Sequence, residues 1–455
     1  MKNLIIKIVK EDNFISLFGN VVFAALGFIA FLILTRSLSL FDFGQWIIYI
    51  TIATLIDLLR FGLTRTAVVR FISGINKYEK QSFIATSMLI GIVQVFVIVL
   101  LLWSFYFFFS DSLQNSGYQY FLLFYPFLAI SNLSWNNALS LLQAEQKFDK
   151  ILFLRAINVA SFVIFLVINK LFFNFGIKEI IIANIFSNLI ASIYSFIKGW
   201  DGLLYIQKAS ILVAKKILNF GKFSIGTAIG SSLLRSADAF IIGLSPFLGP
   251  SAVALYAIPL KFVEILEIPL RSFTATAFPK MSRASLKNNI AEFKNVFYTY
   301  SGAISFLFIP LLIAGFVFAN KFVWILGGSE YKDSAVLLGN IFRIFCIYAL
   351  LLPIDRLTGV ALDSINLPKL NFLKVMIMMI ANIIGDLIAV FAFKSLTAVA
   401  VVTVLFTLTG VFLGWFYLKK KLQLNFFQIG ISGINFYKFF VNRFLSVKII
   451  KEQRY

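Results

Sequence analysis

Histidine is absent from this 455-residue chain, and cysteine occurs once, at Cys346. Without imidazole there is no histidine metal ligand, no histidine proton relay and no catalytic scheme that needs a ring titrating near neutrality. A single cysteine excludes an intramolecular disulfide and a cysteine-rich metal site. Charge is scarce as well: 13% of the residues are Asp, Glu, Lys or Arg, against about a quarter in an ordinary soluble domain. Enzyme signatures are missing. There is no phosphate-binding Gly-rich loop ending in Lys-Ser/Thr, no zinc-ligand spacing and no Gly-x-Ser-x-Gly turn. No loop is long enough to fold as a domain in water. Catalysis, a cofactor, a metal and transport driven by ATP bound to this chain are therefore not expected.

What is present in excess is apolar: 60% of the residues are hydrophobic. So few charges cannot cover a water-facing surface, so the expected class is an all-α polytopic membrane protein. Phe is abundant at 55 residues, which reads as compositional bias. The net charge of +21 invites a nucleic-acid partner, but loops obeying the positive-inside rule explain it better. The N-terminus, 1–9, is short, basic and amphipathic, and the first apolar run lacks a cleavage-site pattern, so no signal peptide is expected.

A run of about 20 apolar residues crosses the ~30 Å hydrocarbon layer. That ruler places twelve spans near 14–34, 45–63, 83–109, 118–142, 151–169, 179–198, 223–244, 252–273, 296–320, 334–360, 375–393 and 396–418. Lys and Arg crowd into alternate loops, which puts both termini in the cytoplasm. The inner loops 199–222 and 274–295 are basic and amphipathic, as surface-lying segments are. The basic tail after Leu418 reads as an interfacial helix or frayed end, with a half-inserted segment as the other option.

A repeat is also visible. Thr35–Trp46 parallels Gly243–Tyr256, and Arg65–Ser73 parallels Phe273–Ser282, at an offset of about 208–210 residues. Six spans per half then run in the same sense, related by a pseudo-two-fold axis along the membrane normal. The expected organisation is an N-terminal lobe (1–200), a cytoplasmic interfacial linker (201–222), a C-terminal lobe (223–418) and a basic cytoplasmic tail (419–455), with alternating access at a central cleft.

Charges inside the spans are the candidates for function, because each costs roughly 2.5–3.5 kcal/mol if it faces lipid. At 1.5 Å rise per residue, Arg235, Arg343 and Lys261 fall ~14 Å below the outer mouth. Asp57 and Glu264 fall ~18 Å from it, and Asp386 ~17 Å from the inner mouth. Asp57–Arg60 and Arg235–Asp238 are i,i+3 neighbours that can neutralise each other. Lys261, Glu264, Glu267 and Arg271 form one polar stripe in a span that also holds Pro259 and Pro269, and Asp57 and Arg60 are the repeat counterparts of Glu267 and Arg271, give or take a residue. The cations Arg235, Arg343, Lys261 and Arg60 are candidates for an anion site, since guanidinium matches phosphate geometry. For Asp57–Arg60, glue between helices is an equal reading. Asp57, Asp238, Glu264, Glu267 and Asp386 are counter-ions or sites for a coupling proton or Na⁺. The fourth span is polar from Ser131 to Gln143. There Asn132, Trp135 and Asn136 either contact a sugar or hydrogen-bond between helices. The pairs Gly226–Gly230 and Gly410–Gly414 suit close helix approach.

The motif order resembles that of the polysaccharide (O-antigen) flippases of the multidrug/oligosaccharidyl-lipid/polysaccharide exporter superfamily. The resemblance rests on Gly19 with Thr35-Arg36-Ser-Leu-Ser-Leu-Phe-Asp-Phe-Gly44, Arg60-Phe-Gly-Leu63, and Gln143-Ala-Glu-Gln-Lys-Phe148. It continues with Ser236-Ala-Asp238, Ile242-Gly243, Tyr256-Ala-Ile-Pro259 and Pro279-Lys-Met-Ser282. It implies two six-helix lobes in a V and a cationic cavity. The implied substrate is an undecaprenyl-pyrophosphate-linked oligosaccharide, drawn from the lipids of a bacterial cytoplasmic membrane. Multidrug exporters of the superfamily often carry an acid in the first span, and 14–34 has none. Lipid II flippases usually have two further helices. A cation-coupled multidrug exporter is the alternative; a polymerase or ligase on the same lipids would need a large outer loop.

Overall fold

The computed structural model describes residues 12–72, 77–109 and 117–452. Within these, the side chains of 12–21, 221–229, Arg235, 440–452 and a few single positions lie outside the description. The described chain is all-helical. Its long helices are α1 (Asp12–Ser37), α2 (Leu40–Ile72), α3 (Lys77–Phe109), α4 (Gly117–Ser131), α5 (Leu133–Ala144), α6 (Phe148–Ile168) and α7 (Ile177–Ile197). They continue as α8 (Ile211–Leu244), α9 (Gly249–Leu286), α10 (Ile290–Val317), the short α11 (Ala319–Gly327), α12 (Ala335–Ser364), α13 (Pro368–Leu387), α14 (Leu396–Leu422) and α15 (Phe427–Glu452).

Among the described residues eight helices are long and apolar enough to cross a membrane, and Val22–Ser37 is a shorter apolar one. The expected spans at 14–34, 118–142, 223–244 and 252–273 are not among the eight, each for a local reason. Part of the first lies outside the described residues. The fourth is broken at Asn132 into α4 and α5. The seventh runs through the undescribed side chains of 221–229. The eighth carries its charged stripe and Pro259, Pro269 and Pro279 inside α9. Residues 201–222, expected as a surface linker, form a tight turn at Leu203–Lys208 and then the first turns of α8.

The chain divides into two compact units, Met1–Ala254 with Gly327–Glu330, and Leu255–Leu326 with Tyr331–Tyr455. In the first, α2 is the central post, packed by α3, α4, α5 and α8. In the second, α12 holds that place against α10 and α14. Much of the Phe content stands outward: Phe96, Phe107, Phe108, Phe172, Phe393 and Phe412 are exposed, as lipid-facing positions are. Helix starts are capped by local chemistry. Ser39 accepts from the Asp42 nitrogen at 3.1 Å, and Asn289 from the Glu292 nitrogen at 3.0 Å, each satisfying a donor the helix leaves open.

Turn geometry reveals the repeat more sharply than side chains do. Gln146 and Asn366 follow α5 and α12 with φ of 57° and 60°, and Asn174 and Lys394 precede α7 and α14 with φ of 54° and 50°. Both pairs are 220 residues apart (146 to 366, and 174 to 394). The helices between these turns, α6 and α13, each end in a widened π turn, at Asn169–Phe173 and Ile388–Ala392. A left-handed residue is uncommon outside glycine, so two such pairs 220 residues apart are the mark of a duplicated turn pattern, at a longer interval than the 208–210 residues expected from the sequence blocks.

After Leu422 the tail folds as α15, which packs on α10. The contact is backbone to backbone. A Cβ on Gly302 would lie 2.4 Å from the Ile429 carbonyl oxygen and 2.5 Å from the Gly433 nitrogen. Tyr437 donates to the Ala303 carbonyl at 2.9 Å, and the Asn425 nitrogen donates to Tyr298 at 2.8 Å. Gly302→Val is expected to cost about 1–3 kcal/mol by overpacking and to raise amide exchange across 427–439. Wild-type exchange there in the variant would show that α15 is held by other contacts.

Candidate functional site

In the first unit the charges gather where α4 breaks. Asp57 and Arg60 lie one turn apart on α2, and Arg60 Nη1 reaches Asp57 Oδ1 at 2.9 Å. Arg60 is among the largest fully buried side chains of the protein. Its Nη2 donates to the Ala129 carbonyl at 2.8 Å, and its Nη1 to Asn132 Oδ1 at 3.2 Å and Tyr125 Oη at 3.3 Å. Asp57 accepts from Tyr125 at 2.8 Å and from Asn132 Nδ2 at 2.7 Å. The break at Asn132 thus aims an amide at both members of the ion pair. Asn136 Nδ2 donates back to the Asn132 carbonyl at 2.9 Å.

The rest of the polar fourth span is engaged inside the unit. Trp135 Nε1 donates to Asn188 Oδ1 on α7 at 3.0 Å. Ser134 lies 2.7 Å from Ser195 Oγ and donates to Asp201 Oδ2 at 2.6 Å, while Asn137 Nδ2 donates to the Asp201 carbonyl at 2.6 Å. Asp201 is fully buried. These bonds pin the connection between α7 and α8 to the middle of the unit.

In the second unit the charges form a ladder on α9, α12 and α13. Lys261 pairs with Glu264 at 2.8 Å. Glu267 sits between two arginines: Arg271 at 2.6 Å on its own helix and Arg356 at 3.3 Å on α12. Beside Arg356, Asp355 pairs with Lys374 of α13 at 2.8 Å, with side chains only 7% and 3% exposed. Lys374 also donates to the Asp355 carbonyl at 2.8 Å and to Thr358 at 3.3 Å. The glycines of α14 make room for this pair. A Cβ on Gly410 would lie 2.7 Å from Asp355 Oδ1, and one on Gly414 would lie 2.4 Å from Thr358 Oγ1.

The residues singled out in the sequence are distributed as follows. Asp57, Arg60, Asn132 and Asn136 converge in the first unit; Trp135 turns to α7. Lys261, Glu264, Glu267 and Arg271 keep their stripe on α9. Arg343 bonds Asn340 of its own helix at 3.2 Å. Lys261 and Arg343 adjoin Phe262 and Phe342, whose rings are 4.8 Å apart, so α9 and α12 carry the two cations at one level. Asp238 and Asp386 are buried. The side chain of Arg235, on α8, lies outside the described residues. Sequence reasoning missed Tyr125, Arg356, Asp355 and Lys374. Arg356 stands four residues before the end of the expected span 334–360 and Lys374 one residue before the span 375–393; α12 and α13 carry both. Among the described residues no group of three or more Asp, Glu or Cys side chains is placed to hold a metal.

Residues 9–285 match the family model described as polysaccharide biosynthesis protein. A stretch of 221 residues is 25% identical to the probable low-salt glycan biosynthesis flippase Agl15 of Haloferax volcanii, and covers 49% of this chain and 45% of that protein. The match therefore spans less than half the length of this relative. The fold is similar to that of a multidrug resistance MATE family transporter of the MOP superfamily in its inward-facing conformation, with a TM-score of 0.75, 14% identity, and coverage of 88% of this chain and 94% of that one. It is also similar to the lipid II flippase MurJ in an inward closed conformation, with a TM-score of 0.73, 15% identity, and coverage of 94% and 92%. At these identities the likeness concerns the fold alone.

Proposed function

Because the chain belongs to the polysaccharide biosynthesis protein family, we propose that it moves a lipid-linked oligosaccharide from one leaflet to the other. It is a multi-pass membrane protein of a flippase family. The substrate in this reading is an undecaprenyl-pyrophosphate-linked repeat unit for O-antigen or another surface polysaccharide, and the site of action is the bacterial cytoplasmic membrane, with both termini cytoplasmic. The observation that carries the reading is the bridging of Arg271 and Arg356 by the single carboxylate of Glu267. Two guanidiniums held by one acid are stored in a form that a pyrophosphate, with more charge and more acceptor oxygens, displaces. A proton or Na⁺ taken up by Glu267 would release the same cations, and one taken up by Glu264 would release Lys261. That exchange provides coupling without ATP. In this reading Arg343 and Lys261 extend the cations of the second unit, with Asp386 among its acids, while Arg60 with Asn132, Trp135 and Asn136 serves the first unit, where Arg235 is a further candidate cation and Asp57 and Asp238 are the acids.

Reconstituted protein is expected to move a fluorescent lipid-pyrophosphate-sugar between leaflets. Arg343→Ala and Arg235→Ala should each slow this by about 10- to 100-fold, the weight of a charge-assisted hydrogen bond, while the protein still inserts. Full rates in both variants sink the anion-site reading. The buried Asp386 keeps a second reading in view, a cation-coupled multidrug exporter. Ethidium-type efflux that disappears in Glu264→Gln or Asp386→Asn would favour it.

A further inference from the structure

Helix α7 has no length to spare. Its 21 residues, Ile177–Ile197, are apolar enough to cross a membrane, and at 1.5 Å each they rise ~31 Å. That equals the ~30 Å thickness of the hydrocarbon layer. As a span, α7 therefore reaches from one edge to the other, and its first turn stands at an edge. The π turn that ends α6, and the left-handed Asn174 after it, bring the chain round to that point.

A cavity of about 410 Å³ lies between α6 and α7. Along α7 its wall runs from Glu179 to Ile190, a rise of ~16 Å that takes it from the edge of the layer past the middle. That is the depth of one leaflet. Phe165, Phe186 and Ile190 give it an apolar wall. Ser161 and Ser187 also line it, but they donate to the Asn158 and Asn184 carbonyls of their own helices, at 3.0 and 2.7 Å. Neither has a hydrogen left for a guest.

Glu179 is the one charged residue in this lining. It is exposed, and among the described residues no cation pairs with it. The cations closest in sequence are placed otherwise. Lys170 donates to the Arg36 carbonyl at 2.5 Å, and Lys178 leaves the helix about 100° away from Glu179. The duplicated turn does not itself require an acid, since α14, the counterpart of α7, has none in its first turn.

We propose that this cavity seats one acyl chain of a membrane phospholipid whose headgroup carries a primary ammonium, and that Glu179 holds the ammonium. A slot with apolar walls and the depth of one leaflet fits a single chain. The ammonium brings three donors to a carboxylate at the edge of the layer, where the bond is charge-assisted. A quaternary ammonium has no such hydrogen, and an anionic headgroup is repelled. The seat lies wholly in the first unit and does not depend on what the protein moves.

The test titrates the purified full chain with dioleoyl phosphatidylethanolamine, phosphatidylcholine and phosphatidylglycerol, and counts bound lipid by native mass spectrometry. Phosphatidylethanolamine is expected to bind about tenfold more tightly than the other two, the weight of one charge-assisted hydrogen bond. Glu179→Gln should erase that preference by weakening phosphatidylethanolamine alone. A carboxylate that only stabilises the start of α7 would move the thermal midpoint and leave the preference among headgroups intact. Ala183→Trp, which fills the cavity, should weaken phosphatidylethanolamine with Glu179 in place. Equal binding of the three lipids to the wild type, a preference that survives Glu179→Gln, or full binding in Ala183→Trp overturns the site.

Discussion

Arg60→Ala is expected to destabilise the protein by about 3–5 kcal/mol, because it leaves Asp57 charged beside a buried gap. The guanidinium has four described partners, on α2, on α4 and at Asn132 where α4 breaks, and its side chain is only 1% exposed. Alanine removes the cation and also strips the Ala129 carbonyl of a donor. The damage should concentrate at the α4–α5 break, since Asn132 would keep its bond to Asp57 and lose the bond from Arg60. Denaturant unfolding in mixed micelles gives the total. The double variant Asp57→Asn with Arg60→Met gives the diagnosis, since removing both charges should recover much of the loss. If the double variant is as unstable as the single one, packing rather than charge holds this joint.

Lys374→Ala should cost a similar ~3–5 kcal/mol in the second unit. Here the acid left behind, Asp355, is buried more deeply than Asp57 is. Its surroundings are also less able to relax, because Gly410 and Gly414 bring the α14 backbone against the pair. Water has little room to replace the ammonium group. Asp355→Leu with Lys374→Met tests the same logic and should come out near the wild type. Gly410→Leu offers an independent probe: its side chain would enter the space of Asp355 and Met378, so unfolding should be eased by about 1–3 kcal/mol with both charges intact. If Lys374→Ala unfolds like the wild type, Asp355 takes up a proton at little cost and the pair is not a structural joint.

How far the chain could be read in advance depended on distance along it. Asp57 with Arg60 and Lys261 with Glu264 were legible because helical spacing alone brings i and i+3 together. Tyr125 and Asn132 complete the first cluster from more than sixty residues away, and no local pattern announces them. Arg356 illustrates another limit. Arg356 lies inside the expected span 334–360, yet nothing local marks it, because its partner Glu267 stands 89 residues away on α9. Asn132, Trp135 and Asn136 were open between sugar contact and helix contact, and the Ser134–Asp201 bond was not foreseen. A side chain's type fixes what bonds it can make, while the partner depends on which helix stands opposite. The repeat was visible as a faint resemblance of two blocks 208–210 residues apart; backbone angles at four turns recur at 220 residues without any likeness of side chains.

The contact between α10 and α15 has a consequence in time. Synthesis proceeds from the N-terminus, so Gly302 and Ala303 leave the ribosome long before Gly433 and Tyr437, which cover them. From Val317 to Gly433 translation takes roughly 6–23 s at ~5–20 residues per second. During that interval the backbone surface around Gly302 waits for its cover. The second unit therefore finishes only when the last helix arrives, and a message truncated after Leu422 yields a protein whose α10 is never closed over.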